Sequence, residues 1–379
     1  MISPPNPLLQ WSGSSEYLII MSEYKPPEFY KALGETEQWP DITGAHPSSL
    51  TYDNVLLVPQ FTEVDTRGDV SLAVDFGPFK LQVPIISAPM DTVTGEQMAR
   101  ELDRIGAISA LPRGSRGELD RALAICERLS TDDVNAVYSV GLASAVDDAV
   151  EYSRRGAKMI LIDVANGGMK KVIKAVGDVR DNLPDMTVAA GNIATYALAR
   201  LYKEKGVHIA RVGVGPGGVC QTRLVAGSGF PQLSAVFETV AADISVIADG
   251  GIKHPGDVAK ALAARAKVVM IGSLFGGTDE SAGYKVDGGR VLRGQASEEY
   301  MVDNGGGVNE FRAAEGIATV VPDKGPVVNI VNQITGGVRS AMSYAGAHDL
   351  QEFPRLAKFV LVSDHAGREG SPHVLNWGI

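Results

Sequence analysis

Eight short runs rich in β-branched and other apolar residues recur along this chain, at residues 84–87, 106–111, 136–141, 159–164, 187–191, 209–213, 245–249 and 267–272. Amphipathic stretches separate them, among them residues 96–105, 118–129, 145–155, 194–205 and 256–264. Strand then helix, repeated in this way, points to parallel strands, because each helix carries the chain back to start the next strand in the same direction. Eight such units close into a (β/α)8 barrel, whereas an open doubly wound sheet usually has fewer strands and keeps an edge. The prediction is an α/β protein with one TIM barrel catalytic domain over residues 46–379, preceded by an N-terminal extension over residues 1–45. That extension is rich in Pro, Ser and Glu, with Trp11 and Trp39 as isolated anchors. Two stretches stand outside the eight units. Residues 51–80 predict a small hairpin over one barrel end. Residues 284–325, which include a glycine-rich stretch at 303–308, are too long for an ordinary connection and predict a flap.

The bulk numbers agree with this picture and narrow the function. Of 379 residues, 45% are hydrophobic and 21% charged, enough to build a large core. A net charge of -10 disfavours nucleic-acid and anionic-membrane partners, which need a basic face. It leaves room for a small anion held by backbone N–H groups. Two cysteines, Cys126 and Cys220, make no disulfide framework, so a reducing compartment is expected. No apolar run reaches the ~18 residues of a membrane span. The N-terminus lacks the basic start and apolar core of a signal peptide. A cytoplasmic protein is the expectation.

Barrel active sites gather at the C-terminal strand ends, and here those ends are polar. The first run leads to Met90-Asp91-Thr92, the fourth to Asp163, the fifth to Gly191-Asn192, the seventh to Asp249-Gly250-Gly251 and the eighth to Gly272-Ser273. The last two ends commonly bind phosphate, and Gly250, Gly251, Gly272 and Ser273 supply approachable backbone and a hydroxyl. The plain alternative is that these glycines only form turns. Asp249 could accept from a ribose diol, or could cap a helix. The sixth run enters Gly213-Val214-Gly215-Pro216-Gly217-Gly218-Val219-Cys220-Gln221-Thr222-Arg223. This loop exposes sharply turned backbone whose carbonyls could face a monovalent cation. It sets Cys220 two residues from the Thr222 hydroxyl, and a thiolate helped by nearby donors is a strong nucleophile. Cys126, on an amphipathic stretch, reads as a buried spectator.

On these residues the chain resembles the IMP dehydrogenase/GMP reductase family. The matching stretches are Leu50-Thr51-Tyr52-Asp53-Asn54-Val55-Leu56-Leu57, Met90-Asp91-Thr92-Val93, the Cys220 loop, Asp249-Gly250-Gly251 and Gly336-Gly337-Val338-Arg339. Asp163-Val164-Ala165-Asn166-Gly167 and Glu310-Phe311-Arg312-Ala313-Ala314-Glu315-Gly316 look like the reductase branch. The flap also lacks the Arg-Tyr pair with which dehydrogenases activate water, and no regulatory CBS insertion interrupts the barrel. The resemblance implies reductive deamination of GMP to IMP by NADPH, with Cys220 as nucleophile and Thr222, Glu315 and Arg113 completing the catalytic set. It implies substrate contacts from Met90, Asp249, Gly250, Gly251, Gly272, Ser273, Gln295, Arg312 and Gly316, and Asp163 and Asn192 beside the nicotinamide. It implies a potassium ion on the carbonyls of Gly215, Gly217 and Cys220, and a homotetramer. The alternatives are an IMP dehydrogenase without CBS domains, oxidising IMP to XMP with NAD, and a related barrel acting on a modified purine nucleotide. Departures from the family pattern motivate the last. Pro112-Arg113 stands where the family has His-Lys, Gly218 and Ala314 where it has serines, and Leu292 where many dehydrogenases have tyrosine.

Overall fold

The computed structural model describes residues 50–113, 118–304, 307–363 and 370. The expected extension over residues 1–45 lies outside the described residues. The body opens with β1 (Val55–Leu57) and a hairpin of β2 (Val74–Phe76) and β3 (Phe79–Leu81). Then come β4 (Ile85–Ser87), β5 (Ile108–Leu111), β6 (Ala136–Val140), β7 (Met159–Asp163), β8 (Thr187–Ile193), β9 (Ile209–Val212), β10 (Ser245–Asp249) and β11 (Val268–Ile271). These strands form a closed barrel, each pair of neighbours parallel, with β11 returning to β4. Every predicted run coincides with one of them to within a residue or two at either end. The barrel prediction holds.

Helices fill the crossovers: α1 (Glu96–Arg104), α2 (Leu119–Thr131), α3 (Ala145–Arg154), α4 (Lys170–Asn182), α5 (Tyr196–Glu204), α6 (Thr222–Val225), α7 (Gln232–Val240) and α8 (Pro255–Ala263). α1 illustrates the local logic. Met98, Ala99 and Leu102 share one buried face, Glu96 sits in the first turn and Arg104 in the last, matching the helix dipole. After β11 the chain makes β12 (Lys285–Val286), β13 (Gly289–Arg293), α9 (Glu298–Asp303) and β14 (Ala318–Val321). The segment expected to be a flap is therefore a three-stranded antiparallel sheet with a short helix. The body ends with α10 (Val327–Ala345), α11 (Phe353–Leu356) and β15 (Phe359–Leu361). β15 lies antiparallel to β1, with Val55 opposite Leu361.

The predicted hairpin covers the N-terminal end of the barrel. Its turn residue Gly77 faces Thr187 and Met159, the first residues of β8 and β7. Phe76, Phe79 and Leu81 join one cluster with Ile86, Ile108, Val137, Met159, Leu161, Ile209, Ile247 and Val268. Alternate residues of a strand share a face, so these positions mark the inward face. Burying each large side chain stabilises by about 1.5–3 kcal/mol. With this end filled by hydrocarbon, the opposite end is left for chemistry.

Candidate active site

A cavity of about 750 Å³ opens at the C-terminal ends of the strands. Every residue expected to serve catalysis, substrate, cofactor or cation lines it, including Cys220, Thr222, Glu315 and Arg113. The Cys220 loop leaves β9 and runs against the end of β10. A Cβ at Gly213 would lie 2.1 Å from the Asp249 carbonyl oxygen, and one at Gly250 would lie 2.9 Å from Pro216 Cγ. Both glycines also have positive φ, so only glycine allows this approach. The loop turns on a hydrogen bond from Cys220 N to the Gly217 carbonyl (3.0 Å). The Cys220 thiol then donates to Thr222 Oγ1 at 3.2 Å. Cys126 is fully buried on α2, as expected of a spectator, and burial pushes its thiol pKa up.

The flap segment is stitched onto this loop. Gln221 N donates to the Glu315 carbonyl (2.7 Å) and Ile317 N to the Val219 carbonyl (3.0 Å). On its other side, Glu315 N reaches the Ala296 carbonyl (3.0 Å), and Gly294 N reaches that of Ile317 (3.1 Å). Gly316, buried between these strips, bridges both Cys220 and Ser297. Backbone bonding thus brings Glu315 beside the cysteine loop from about a hundred residues away in the chain. Gln295 donates its amide to the Pro89 carbonyl, next to Met90. Arg312 is exposed at the rim. Arg113, just beyond β5, lies over Gly141 at the end of β6.

The charged centre of the cavity is one that sequence reasoning missed. Arg211, on β9, is buried and donates from Nη1 to Asp163 Oδ1 (2.6 Å) and from Nε to Asp249 Oδ2 (2.9 Å). Burial works against its charge, but the two carboxylates more than offset this and raise its pKa. Asn192 adds a hydrogen bond to Asp249 Oδ2 (2.8 Å) and one to the Gly213 carbonyl (2.7 Å), which commits both amide hydrogens. Asp163 Oδ2 is buried with no partner among the described residues. The sequence shows only a charge inside an apolar strand; once the structure places Ile209 on the inward face, Arg211, two residues on, must share it.

Two expectations need correction. Asp249 does not cap a helix. The N–H groups of Lys253 and His254 before α8 go to Asp257 Oδ2 instead, both at 2.9 Å. Gly251 does not offer a free N–H either, because that group donates to the Pro216 carbonyl at 3.0 Å. At the end of β11, the Ser273 hydroxyl lies 3.1 Å from where a Cβ on Gly218 would stand. Ser273 thus takes up the space that the absent serine side chain at 218 would enter. Leu292 is buried, packed against Gly276, and does not line the cavity.

Comparison with known proteins fits this arrangement. The model of the IMP dehydrogenase / GMP reductase domain matches residues 49–373. The chain belongs to that family. A GMP reductase from Phytophthora infestans is 37% identical over 331 residues, covering 83% of this chain and 91% of the relative. One from Klebsiella pneumoniae is 36% identical over 337 residues, covering 84% and 96%. One from Caenorhabditis elegans is 34% identical over 335 residues, covering 83% and 92%. A solved structure, GMP reductase C318A from Trypanosoma brucei in complex with guanosine 5'-monophosphate, superposes with a TM-score of 0.80 at 24% identity, covering 87% of this chain and 99% of that one. At that identity the likeness speaks for the fold. Within the IMP dehydrogenase/GMP reductase family, this member connects β5 to β6 with α2 as the only element among the described residues.

Proposed function

We propose that this protein is a GMP reductase: it reduces and deaminates GMP to IMP and ammonia at the expense of NADPH. The observation that carries the reading is the pairing of the Cys220 thiol with Thr222 at 3.2 Å, on a loop to which the Glu315 segment is hydrogen-bonded. A cysteine alone would serve many reactions. A cysteine with a hydroxyl and a carboxylate-bearing segment stitched beside it suits expulsion of an amine, which needs both a nucleophile and a proton.

In this mechanism Cys220 Sγ adds to C2 of the guanine ring. Thr222 and Glu315 deliver a proton to the 2-amino group, and the C2–N bond breaks to release ammonia. NADPH, when bound, supplies a hydride to C2. The C–S bond then breaks, returning the electron pair to sulfur and freeing IMP. Asp163 and Asn192 would flank the nicotinamide, and the buried Asp163 Oδ2, without a partner among the described residues, would offer an acceptor there. Arg113 keeps the positive charge of the lysine it replaces but cannot easily give up a proton, so proton delivery falls to Thr222 and Glu315. Met90, Gln295, Arg312 and Gly316 hold the base, Asp249 the ribose, and the ends of β10 and β11 the phosphate.

A potassium ion fits the cysteine loop. The carbonyls of Gly215 and Cys220 accept no hydrogen bond among the described residues, and that of Gly217 accepts one. The ion would fix the loop bearing the nucleophile. A homotetramer in the cytoplasm completes the reading. The tetramer follows from the family resemblance; among the described residues no helix is long and apolar enough to cross a membrane. The departures at Arg113, Gly218 and Ala314 favour a second reading, a modified purine nucleotide as substrate.

Mixing the protein with GMP and NADPH, and following absorbance of the reduced cofactor, tests the proposal. Decay is expected with GMP and silence with IMP and NAD. Activity in the second mixture alone would overturn it, and GMP binding without turnover in either would favour the second reading.

A further inference from the structure

Lys324 lies between β14 and α10, outside every motif that carries the family resemblance. Its ammonium is half-buried and donates to the carbonyls of Ser273 (2.9 Å) and Leu274 (3.2 Å), in the turn just after β11. Its own N–H is tied to the Gly277 carbonyl at 2.8 Å, so this segment is fixed against the far side of the same turn. Among the described residues no carboxylate pairs with this ammonium, and burial pushes its pKa down. A cation has been placed against neutral carbonyls, with no counter-charge, behind a turn whose front lines the cavity.

The peptide unit explains what this achieves. A peptide is planar and trans, so its C=O and N–H point to opposite sides. With the Ser273 carbonyl held toward Lys324, the Leu274 N–H is turned away from it. Neither the Ser273 nor the Leu274 N–H donates a hydrogen bond among the described residues. The Leu274 N–H is thus held in one orientation with an uncompensated positive charge behind it, beside the Ser273 hydroxyl and the Ser273 N–H, whose own peptide is fixed by the Gly272 carbonyl accepting from Phe275 N and Gly276 N. This is the chemistry that receives a phosphate monoester.

We propose that Lys324 is a positioning residue for the substrate's 5'-phosphate: it pins the Ser273 carbonyl so that the turn presents the Leu274 N–H, and its charge is balanced only when phosphate binds. The inference rests on the reading that the ends of β10 and β11 hold phosphate.

The test compares GMP with guanosine, which lacks only the phosphate. Binding of each is measured calorimetrically without cofactor, and steady-state KM and kcat for GMP are measured with NADPH. Lys324→Met is expected to weaken GMP binding and raise its KM by about tenfold to a hundredfold, with kcat within about twofold. Guanosine binding should not move. Lys324→Arg should restore most of the lost GMP affinity. Unchanged GMP affinity in Lys324→Met would overturn the proposal, as would an equal loss for GMP and guanosine, since that marks general collapse of the turn. Should Lys324→Met fail to fold, Lys324→Gln, which keeps one donor but no charge, gives the same comparison. If the wild type prefers GMP over guanosine yet turns over neither, the assigned activity falls while the Lys324 comparison still reads out. If the wild type does not discriminate the two, the phosphate reading falls and Lys324 with it.

Discussion

Three barrel strands change character between their two ends along a single inward face. On β7 the inward residues are Met159, Leu161 and then Asp163; on β9, Ile209 and then Arg211; on β10, Ile247 and then Asp249. One step of two residues, roughly 7 Å, separates hydrocarbon from ions. Below, the hairpin residues Phe76, Phe79 and Leu81 close the barrel by burial alone, which tolerates changes that preserve volume. Above, Arg211 is held by two carboxylates, and no member can leave without stranding the others. The lower end is strong because it is generic. The upper end is specific because its charges must match, and that makes it brittle.

The largest expected effect separates chemistry from stability at the upper end. Cys220→Ala should lower turnover of GMP by on the order of a thousandfold or more. GMP binding and the thermal midpoint should stay near those of the wild type, and substantial residual turnover would rule out the covalent route. Next, Arg211→Met should destabilise the fold by about 3–5 kcal/mol, because two buried carboxylates lose their partner. Combining it with Asp163→Leu and Asp249→Leu should recover much of that stability in urea melts while turnover stays lost. If Arg211→Met melts like the wild type, charge matching does not hold this end. Phe79→Ala should cost about 3 kcal/mol by the same melts. Its kcat per folded molecule should be unchanged, and a loss of kcat would mean that the two ends are coupled. The smallest effect is expected from exchanging potassium for sodium, which should lower turnover several-fold with no change in the melt. Equal rates in the two salts would remove the cation from the site.

What was legible in the sequence follows from the same contrast. The eight strands announced themselves because apolar runs of strand length repeat between helical periods, and burial on both faces leaves little choice of register. The cysteine loop was legible because its glycines and Thr222 are close in sequence. Arg211 was not, since a charge inside an apolar strand acquires meaning only once the inward face is phased by Ile209 and the partners are known to be Asp163 and Asp249. The small sheet of β12, β13 and β14 escaped for another reason. Its strands are short and only Leu292 among them is buried, with Lys285 and Val286 both open to solvent, so no hydrophobic period marks them. The fate of the Gly251 N–H was also hidden, because a glycine reads the same whether its amide is free or taken by Pro216.

The ribbon of β1 and β15 has a mechanical consequence. Because Val55 stands opposite Leu361 in an antiparallel pair, the chain enters and leaves this ribbon at the same end. Tension applied between those two points pulls the ladder apart one rung at a time, across bonds that lie perpendicular to the strands, rather than shearing them together. An unfolding machine that grips either side would therefore unzip this seam under little force, long before it met the interlocked wall of the barrel.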